Sequence, residues 1–348
     1  MIKQRFVFIA KSLSGGGAEK VLLETASLLQ RRGHAVLILT LSGTVEHLLP
    51  DNVTVQNLNV LGKVAKALGR NTWVNRWQAK QVNAAIDVFQ ADVVISCNAE
   101  YVSRFVPHPN LYHWVHGVIT GSKPRVLQDL CRLYENARLI CVAQAIADDI
   151  KALGIRPLRC EVIYNPFDTQ KIQHLAQAYQ PQIPPPFLLH VGSFNPRKRH
   201  DRLLRAYQQS GVNMPLVLMG QGAHQAEIEQ QIKQLGLSNQ VILHPFEANP
   251  YPYIQAACAL LLSSDQEGLP TVLIEALICH TPIVSVDCPS GPAEILTGDL
   301  QEFLVPVQDE SALAQAIVKV VNTKPMIELK HYERFAVESV LPKFETLA

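Results

Sequence analysis

The sequence has almost no excess of positive or negative charge, which argues against a partner that is held by net charge alone. Its 31 Lys and Arg residues nearly balance its 30 Asp and Glu residues, which leaves a net charge of +1 over 348 residues. Proteins that hold nucleic acid by bulk electrostatics have a strongly basic domain or stripe. We therefore expect no nucleic-acid partner.

Paired cysteines and long apolar runs are absent as well. Seven cysteines are scattered along the chain, and none forms a C-x-x-C pair, which favours reduced thiols over a zinc site or a disulfide framework. The N-terminal apolar run, Phe6–Ala10, is far shorter than the roughly 20 residues that a membrane span needs. We expect a cytoplasmic protein that at most rests on the inner face of the membrane.

Short aliphatic runs alternate with helix-length amphipathic stretches in both halves of the chain. This alternation is typical of parallel sheets that are covered by helices on both faces. The predicted strands are Arg5–Ala10, Ala35–Leu41, Asp92–Cys97, Leu111–Val115, Arg138–Val142, Glu161–Tyr164, Phe187–Val191, Pro215–Met219, Val241–Leu243, Ala259–Leu262, Pro282–Val286 and Phe303–Val305. The proline-rich stretch Gln180–Pro186 separates the two series. The sequence predicts an α/β protein of two doubly wound domains that face each other across a cleft, with ligands beyond the carboxyl ends of the strands.

Three groups of unusual residues follow predicted strands. Glycines 15–17 come between the first strand and a helix, where Gly16 and Gly17 would let backbone amides approach an anion, although for an isolated triplet a flexible turn is the better explanation. A G-x-G-x-x-G dinucleotide fingerprint is missing. Arg197, Lys198 and Arg199 follow a later strand and could hold a diphosphate, with a solvated basic loop as the simpler alternative.

The third group surrounds a proline bend and contains two carboxylates. Glu267 precedes Gly268-Leu269-Pro270-Thr271, and Glu275 lies one turn into the helix that this bend begins. The free backbone amides at the helix start predict an anion site. Solvated acids at a helix start are the competing explanation for the two glutamates.

Together these groups resemble the retaining glycosyltransferases of glycosyltransferase family 4. The pattern Glu267-Gly-Leu-Pro-x4-Glu275-Ala resembles the E-x7-E signature of that family. Further matching segments are Gly16–Glu19, Val191–Lys198, Met219–Gly222 and Asp287–Leu296. The resemblance covers nearly the whole chain and departs from the family at Ser193, where a phosphate-binding arginine is usual.

The resemblance implies the GT-B fold, which consists of two Rossmann-like domains. Residues 1–167 would bind the acceptor, with a C-terminal helix over 326–348 packing back on them, and residues 168–325 would bind the nucleotide-sugar donor. The donor would be a UDP-sugar and the acceptor a glycan or a lipid-linked glycan, in the biosynthesis of bacterial lipopolysaccharide or surface polysaccharide. Which sugar, base and linkage are used is not readable from the residues.

The resemblance also implies roles for individual residues. Lys198, helped by Arg197 or Arg199, would neutralise the departing diphosphate, Glu267 would face the transferred sugar, and Glu275 would bind the ribose. Amides between Gly268 and Thr271, together with Gly16 and Gly17, would contact sugar and phosphates. His116, which ends a strand before Gly117, corresponds to a histidine that such enzymes place against the donor sugar, although a structural histidine is the alternative. No D-x-D motif occurs, so we expect catalysis without a metal or other cofactor.

Residues 60–86 are basic and carry two tryptophans. The members of this segment that suit an anionic membrane surface or a lipid-diphosphate acceptor are Lys63, Lys66, Arg70, Trp73, Arg76, Trp77 and Lys80. A solvated basic helix with two half-buried tryptophans is an equally good interpretation.

Other functions remain open beside the glycosyltransferase. A nucleotide-sugar epimerase of the same fold would lack the E-x7-E arrangement, and a phosphorylase would need pyridoxal phosphate and a longer chain. A dehydrogenase is disfavoured by the missing fingerprint. A non-catalytic nucleotide-sugar-binding subunit is disfavoured by the presence of Lys198, Glu267 and Glu275 together.

Overall fold

The chain forms two compact units in a computed structural model that describes residues 3–14, 16–46, 48–61 and 71–348. The first unit contains Met1–Pro166 and Val337–Ala348, and the second contains Phe167–Ala336. The first division lies one residue from the predicted boundary at 167. The second lies eleven residues beyond the predicted boundary at 325, because the chain remains on the second unit until Ala336.

The first unit is built on a seven-stranded parallel sheet in the order β3-β2-β1-β4-β5-β6-β7. Its strands are β1 Arg5–Ala10, β2 Ala35–Thr40, β3 Thr54–Asn57, β4 Val93–Cys97, β5 Leu111–Val115, β6 Arg138–Cys141 and β7 Arg159–Val162. The described helices are α1 Gly17–Arg31, α2 Thr72–Phe89, α3 Glu100–Ser103, α4 Pro124–Tyr134 and α5 Gln144–Ala152. The central strands are almost fully buried, which is why they could be read as continuous apolar runs.

Strand β3 was not predicted. Its sequence, Thr-Val-Gln-Asn, is mostly exposed and lies at the edge of the sheet, where it pairs with β2 alone. An edge strand with little buried apolar surface gives neither a continuous apolar run nor a clear alternation. The sequence pattern therefore misses it.

The second unit contains a six-stranded parallel sheet in the order β10-β9-β8-β11-β12-β13. Its strands are β8 Leu188–Val191, β9 Leu216–Met219, β10 Val241–His244, β11 Ala259–Leu262, β12 Ile283–Val286 and β13 Leu304–Val305. Its helices are α6 Thr169–Ala176, α7 His200–Ser210, α8 Gln225–Gln234, α9 Tyr251–Ala256, α10 Thr271–Ile278, α11 Pro292–Ile295 and α12 Glu310–Thr323. The order reverses between β8 and β11, so the ligand crevice of a doubly wound sheet is expected beyond the ends of these two strands.

The predicted C-terminal helix over 326–348 is wrong in its first half. Residues Leu329–His331 and Glu333–Phe335 form two short 3₁₀ turns, and only α13, Val337–Glu345, is helical. Arg334 donates a hydrogen bond of 2.6 Å to the carbonyl of Glu294, which fixes these turns on the second unit.

Helix α13 itself packs on the first unit. The rings of Phe344 and Trp114 lie 5.6 Å apart edge to face, and Glu345 accepts an ion pair of 2.7 Å from Arg32. The chain therefore ends on the unit in which it begins.

Candidate functional site

Two loops meet at the point where the strand order of the second sheet reverses. One follows β8 and contains Lys198, and the other follows β11 and contains Glu267. The amide of Asp265 donates to the carbonyl of Arg197 at 2.8 Å, and the Ser263 hydroxyl donates to the carbonyl of Lys198 at 2.8 Å. These bonds hold the two loops in a fixed register.

Lys198 and Glu267 form an ion pair across the two loops. The ammonium Nζ donates to the carboxylate Oε1 at 2.7 Å, and the two side chains are only 19% and 14% exposed. Lys198 ends a 3₁₀ turn that begins after Asn195, whose side chain accepts a hydrogen bond from the amide of Arg197 at 3.0 Å. The turn thus aims Lys198 at the carboxylate. Lys198 is therefore the charged partner of Glu267, which the sequence alone does not identify.

The two arginines beside Lys198 are in different environments. Arg199 forms ion pairs with Asp201 at 2.8 Å and with Asp265 at 3.1 Å, and the hydrogen bond to Asp201 raises its pKa further above the usual range. Its guanidinium is therefore engaged by protein carboxylates, which weakens the prediction that it binds a diphosphate. Arg197 is exposed, and its side chain has no carboxylate partner among the described residues.

The bend before helix α10 presents unused backbone donors. No side chain caps this helix at Pro270, and within the described part of the chain the amides of Gly268, Leu269 and Thr271 donate to no acceptor. Unpartnered amides at a helix start, with the positive end of the helix dipole, favour an anionic ligand. This bend directly follows Glu267, so cationic, anionic and amide groups converge there.

Gly291, for which the sequence predicts no role of its own, packs against this bend. Gly291 has φ +97°, and a Cβ at this position would lie 2.3 Å from Pro270 Cδ and 2.6 Å from the carbonyl oxygen of Gly268. Its neighbour Ser290 donates to the same carbonyl at 2.7 Å. The segment Asp287–Leu296 matched the family pattern, but only the fold shows that Gly291 permits this close approach.

Glu275 lies inside α10 and is buried. Its side chain accepts a hydrogen bond of 3.2 Å from the hydroxyl of Tyr251, a buried residue at the start of α9. The carboxylate therefore has a protein partner in addition to any ligand. The predicted contact with a ribose remains a prediction.

The predicted site residues of the first unit stand at strand ends too. Gly17 begins α1 and Gly16 is its N-cap residue, and a Cβ at either one would meet no atom within 4 Å, while Gly15 lies outside the described residues. His116 follows β5, and its ring packs against that of Trp114 at a tilt of 47° with 4.7 Å between the ring centroids. Its Nε2 is buried without a partner among the described residues, and burial lowers its pKa to about 4, so it is neutral at pH 7. The contacts of Gly16, Gly17 and His116 with a donor remain predictions.

Metal-binding side chains do not cluster in the described ranges. Among residues 3–14, 16–46, 48–61 and 71–348, no group of three His, Cys, Asp or Glu side chains is arranged to hold a metal ion.

A pair of buried histidines lies beneath the Lys198 loop and makes the stability of the chain sensitive to acid. Burial is the main cause that lowers the pKa of His190 to about 4 and that of His200 to about 3. The unfolded chain takes up these protons near pH 6.5 whereas the folded chain does not, so this stability is complete above pH 6.5 and is lost as the pH falls towards 4.

We expect each of these histidines to lower the free energy of unfolding by about 2 kcal/mol when the pH falls from 7 to 5. Urea unfolding at the two pH values measures this loss, and His190→Gln should reduce it by about that amount. An unchanged urea midpoint, or an equally steep loss in the variant, would contradict this origin of the acid sensitivity.

A different surface of the first unit carries exposed tryptophans. On α2, Trp73 is 79% and Trp77 is 53% exposed, and Arg76 and Lys80 are exposed beside them. The half-buried alternative is therefore wrong for Trp73. Lys63, Lys66 and Arg70 lie outside the described residues. Over the described ranges, no helix combines the length and apolar character that crossing a bilayer requires.

Two family models together match most of the chain. Residues 15–171 match Glycosyltransferase Family 4, and residues 173–337 match Glycosyl transferases group 1. The junction between the two matches coincides within a few residues with the division between the two units at Phe167.

Relatives of known name match parts or most of the chain. The N-acetylgalactosamine-N,N'-diacetylbacillosaminyl-diphospho-undecaprenol 4-alpha-N-acetylgalactosaminyltransferase of Campylobacter jejuni is 33% identical over 53% of this chain, and the match spans only about half (51%) of that relative. The lipopolysaccharide core biosynthesis glycosyltransferase LpsD of Rhizobium meliloti is 25% identical over 87% of this chain and 84% of its own length.

A solved structure shares the fold over nearly the full length. The structure of Anabaena Alr3699/HepE in complex with UDP and glucose superimposes with a TM-score of 0.77 over 99% of both chains, at 21% identity. The two parallel sheets of this chain confirm the predicted α/β architecture. The chain is of the GT-B glycosyltransferase type, with a family 4 domain followed by a group 1 domain.

Proposed function

We propose that this protein is a retaining glycosyltransferase that moves a sugar from a UDP-sugar to a glycan or lipid-linked glycan acceptor. The observation that carries the proposal is the shielded pair of Lys198 and Glu267 beside a helix start with unpartnered amides. The named relatives act in lipopolysaccharide and lipid-linked glycan assembly, and the Anabaena neighbour binds UDP and glucose. These names support the substrate class and the setting in surface polysaccharide biosynthesis.

The proposed chemistry follows from where charge develops. The bond between the anomeric carbon and the diphosphate oxygen breaks while a bond from that carbon to an acceptor hydroxyl oxygen forms, and the hydroxyl proton goes to the departing diphosphate. Negative charge grows on the diphosphate, and Lys198 with the amides of Gly268, Leu269 and Thr271 would stabilise it. Departure and attack on the same face of the sugar would retain its configuration.

The remaining roles divide between sugar and nucleotide. Glu267, released from Lys198 when the diphosphate takes over the ammonium, would hydrogen-bond the transferred sugar, and Glu275 would hold the ribose. Arg197, which has no carboxylate partner in the described ranges, would supply the second positive charge that Ser193 cannot give. For Gly16, Gly17 and His116 we propose contacts with sugar and phosphate groups, and the neutral imidazole of His116 can accept or donate a hydrogen bond without adding charge.

A screen of nucleotide sugars followed by a transfer assay tests this function. We expect a thermal shift with UDP-sugars, and transfer of the sugar to a lipid-linked or glycan acceptor without added divalent metal and in the presence of EDTA. Nuclear magnetic resonance of the product should show the same anomeric configuration as the donor. Conversion of the sugar nucleotide without any acceptor would favour an epimerase, and binding without turnover would favour a non-catalytic subunit.

We further propose that the exposed face of α2 (Trp73, Arg76, Trp77 and Lys80) rests on an anionic membrane surface. Tryptophan suits the interface between water and lipid, and each Lys or Arg near an anionic surface contributes about 1 kcal/mol. The positive charge of this face is complementary to anionic lipid. A surface position would bring the enzyme to a lipid-linked acceptor.

Vesicle co-sedimentation checks this docking. Removing both charges in Arg76→Gln/Lys80→Gln should weaken binding to vesicles containing phosphatidylglycerol by about 30-fold, which corresponds to about 2 kcal/mol. The control Lys151→Gln/Arg156→Gln removes two exposed charges elsewhere on the same unit and should bind nearly as the wild type does. Equal binding to neutral and anionic vesicles would refute the proposed surface.

A further inference from the structure

A small basic pocket lies on the first unit between α3 and α4. Its volume is about 250 Å³, and its lining consists of Tyr101, Arg104, Arg125, Asp129 and Arg132. This volume is below the range of roughly 300–1,000 Å³ that whole small-molecule ligands occupy. The pocket therefore suits one functional group of a larger ligand.

The local sequence explains why the arginines converge. Arg125, Asp129 and Arg132 lie four and three residues apart on α4, so they share one face of this helix. Arg104 directly follows α3 and faces them across the pocket. One helix face and one helix end thus bring three guanidinium groups to a common space.

The protein balances the positive charge of this pocket only in part, since three arginines stand against the single carboxylate of Asp129. Among the described residues, Arg104, Arg125 and Arg132 form no ion pair, and Asp129, the one carboxylate of the lining, accepts a hydrogen bond of 3.3 Å from the Tyr101 hydroxyl. By contrast, Arg199 and Arg202 of the second unit are each paired with a carboxylate. Three guanidiniums and one carboxylate leave an excess of two positive charges around one small space, and an anionic ligand would reduce their mutual repulsion.

We propose that this pocket binds a phosphate or diphosphate group of the acceptor. Guanidinium groups present donors in a planar fork that matches phosphate oxygens, and the pocket offers three such forks. The inference rests on the proposed glycosyl transfer, since it specifies the acceptor of that reaction. It assigns the first unit a diphosphate-recognising site that is separate from the donor site of the second unit.

The surroundings of the pocket indicate the source of the phosphate. The guanidinium carbon of Arg104 lies 4.5 Å and that of Arg76 lies 5.4 Å from the ring centroid of Phe105. Arg76 belongs to the exposed tryptophan face of α2, so the pocket lies next to this face. A diphosphate joined to a membrane lipid would fill the pocket while its hydrocarbon chain extends towards the tryptophans.

Calorimetry with phosphorylated probes tests the pocket directly. The donor site is first saturated with UDP, and geranyl diphosphate or glucose 6-phosphate is then titrated. We expect binding by the wild type, and an affinity about tenfold lower for each guanidinium removed in Arg104→Gln and in Arg125→Gln/Arg132→Gln. The control Lys151→Gln/Arg156→Gln lowers the charge of the same unit equally and should retain the affinity.

The outcomes separate this inference from the proposed function. Tighter binding of geranyl diphosphate identifies a lipid diphosphate, and tighter binding of glucose 6-phosphate identifies a phosphorylated glycan. The inference is wrong if the UDP-saturated wild type binds neither probe, or if the arginine variants bind as well as the control does. Titration of UDP alone on the same samples reports the donor site, so a failure there counts against the transferase and leaves the pocket result intact.

Discussion

Replacing Lys198 by alanine is expected to lower turnover by about 100- to 1,000-fold, the usual effect of removing one preorganised group that stabilises developing negative charge. The ammonium lies 2.7 Å from the carboxylate of Glu267, and in the proposed reaction it would stabilise the negative charge that grows on the diphosphate. Its removal also leaves a carboxylate that is only 14% exposed without its ion pair. Glu267→Gln should reduce turnover similarly, because the sugar loses its charged partner.

A second lysine–glutamate pair of the same unit provides the control for this result. Lys319 and Glu302 lie 2.6 Å apart, but both are more than 40% exposed and stand away from the strand ends β8 and β11. Lys319→Ala should leave transfer nearly unchanged, and far-ultraviolet circular dichroism should show that every variant is folded. Wild-type rates in Lys198→Ala would remove this residue from the chemistry.

Gly291→Ala is expected to abolish tight donor binding although the change adds a single methyl group. The new Cβ would clash with Pro270 and with the carbonyl of Gly268, so the bend with its unpartnered amides must move. We expect the affinity for UDP, measured by calorimetry, to fall by at least about tenfold, since hydrogen bonds to a charged group contribute about 1.5–3 kcal/mol each. Turnover should fall with it, because the same amides stabilise the departing diphosphate.

Gly298→Ala is the control that separates the steric clash at Gly291 from the backbone strain of a residue with positive φ. It also has a positive φ of +61° in the second unit, but a Cβ there would meet no atom within 4 Å. Gly298→Ala therefore imposes the cost of a left-handed residue without displacing a neighbour. If Gly291→Ala binds UDP as Gly298→Ala does, the bend is not part of the donor site.

The fold was readable from the sequence wherever burial produced an apolar run. Strands such as Leu111–Val115 and Ala259–Leu262 have the predicted bounds because both faces of a parallel sheet are covered. Strand β3 was missed because it is polar and lies at the edge. Residues 326–336 were predicted to be helical, but hydrogen bonds from Arg334 to carbonyls of the second unit stabilise tight turns instead.

The site was predictable in its residue types but less so in its pairings. Lys198 and Glu267 are 69 residues apart, and only the adjacency of β8 and β11 brings them into contact. The sequence could not distinguish Arg197 from Arg199, because the engagement of Arg199 depends on carboxylates that tertiary structure places beside it. Gly291 and the arginine pocket likewise become visible only when separate segments are packed together.

The structure of the protein crystallised with UDP tests the central claim most directly. The account predicts that the diphosphate lies within hydrogen-bond distance of Lys198 Nζ and of the amides between Gly268 and Thr271, with the ribose next to Glu275. A nucleotide bound away from the ends of β8 and β11, with the ion pair of Lys198 and Glu267 undisturbed, would contradict it.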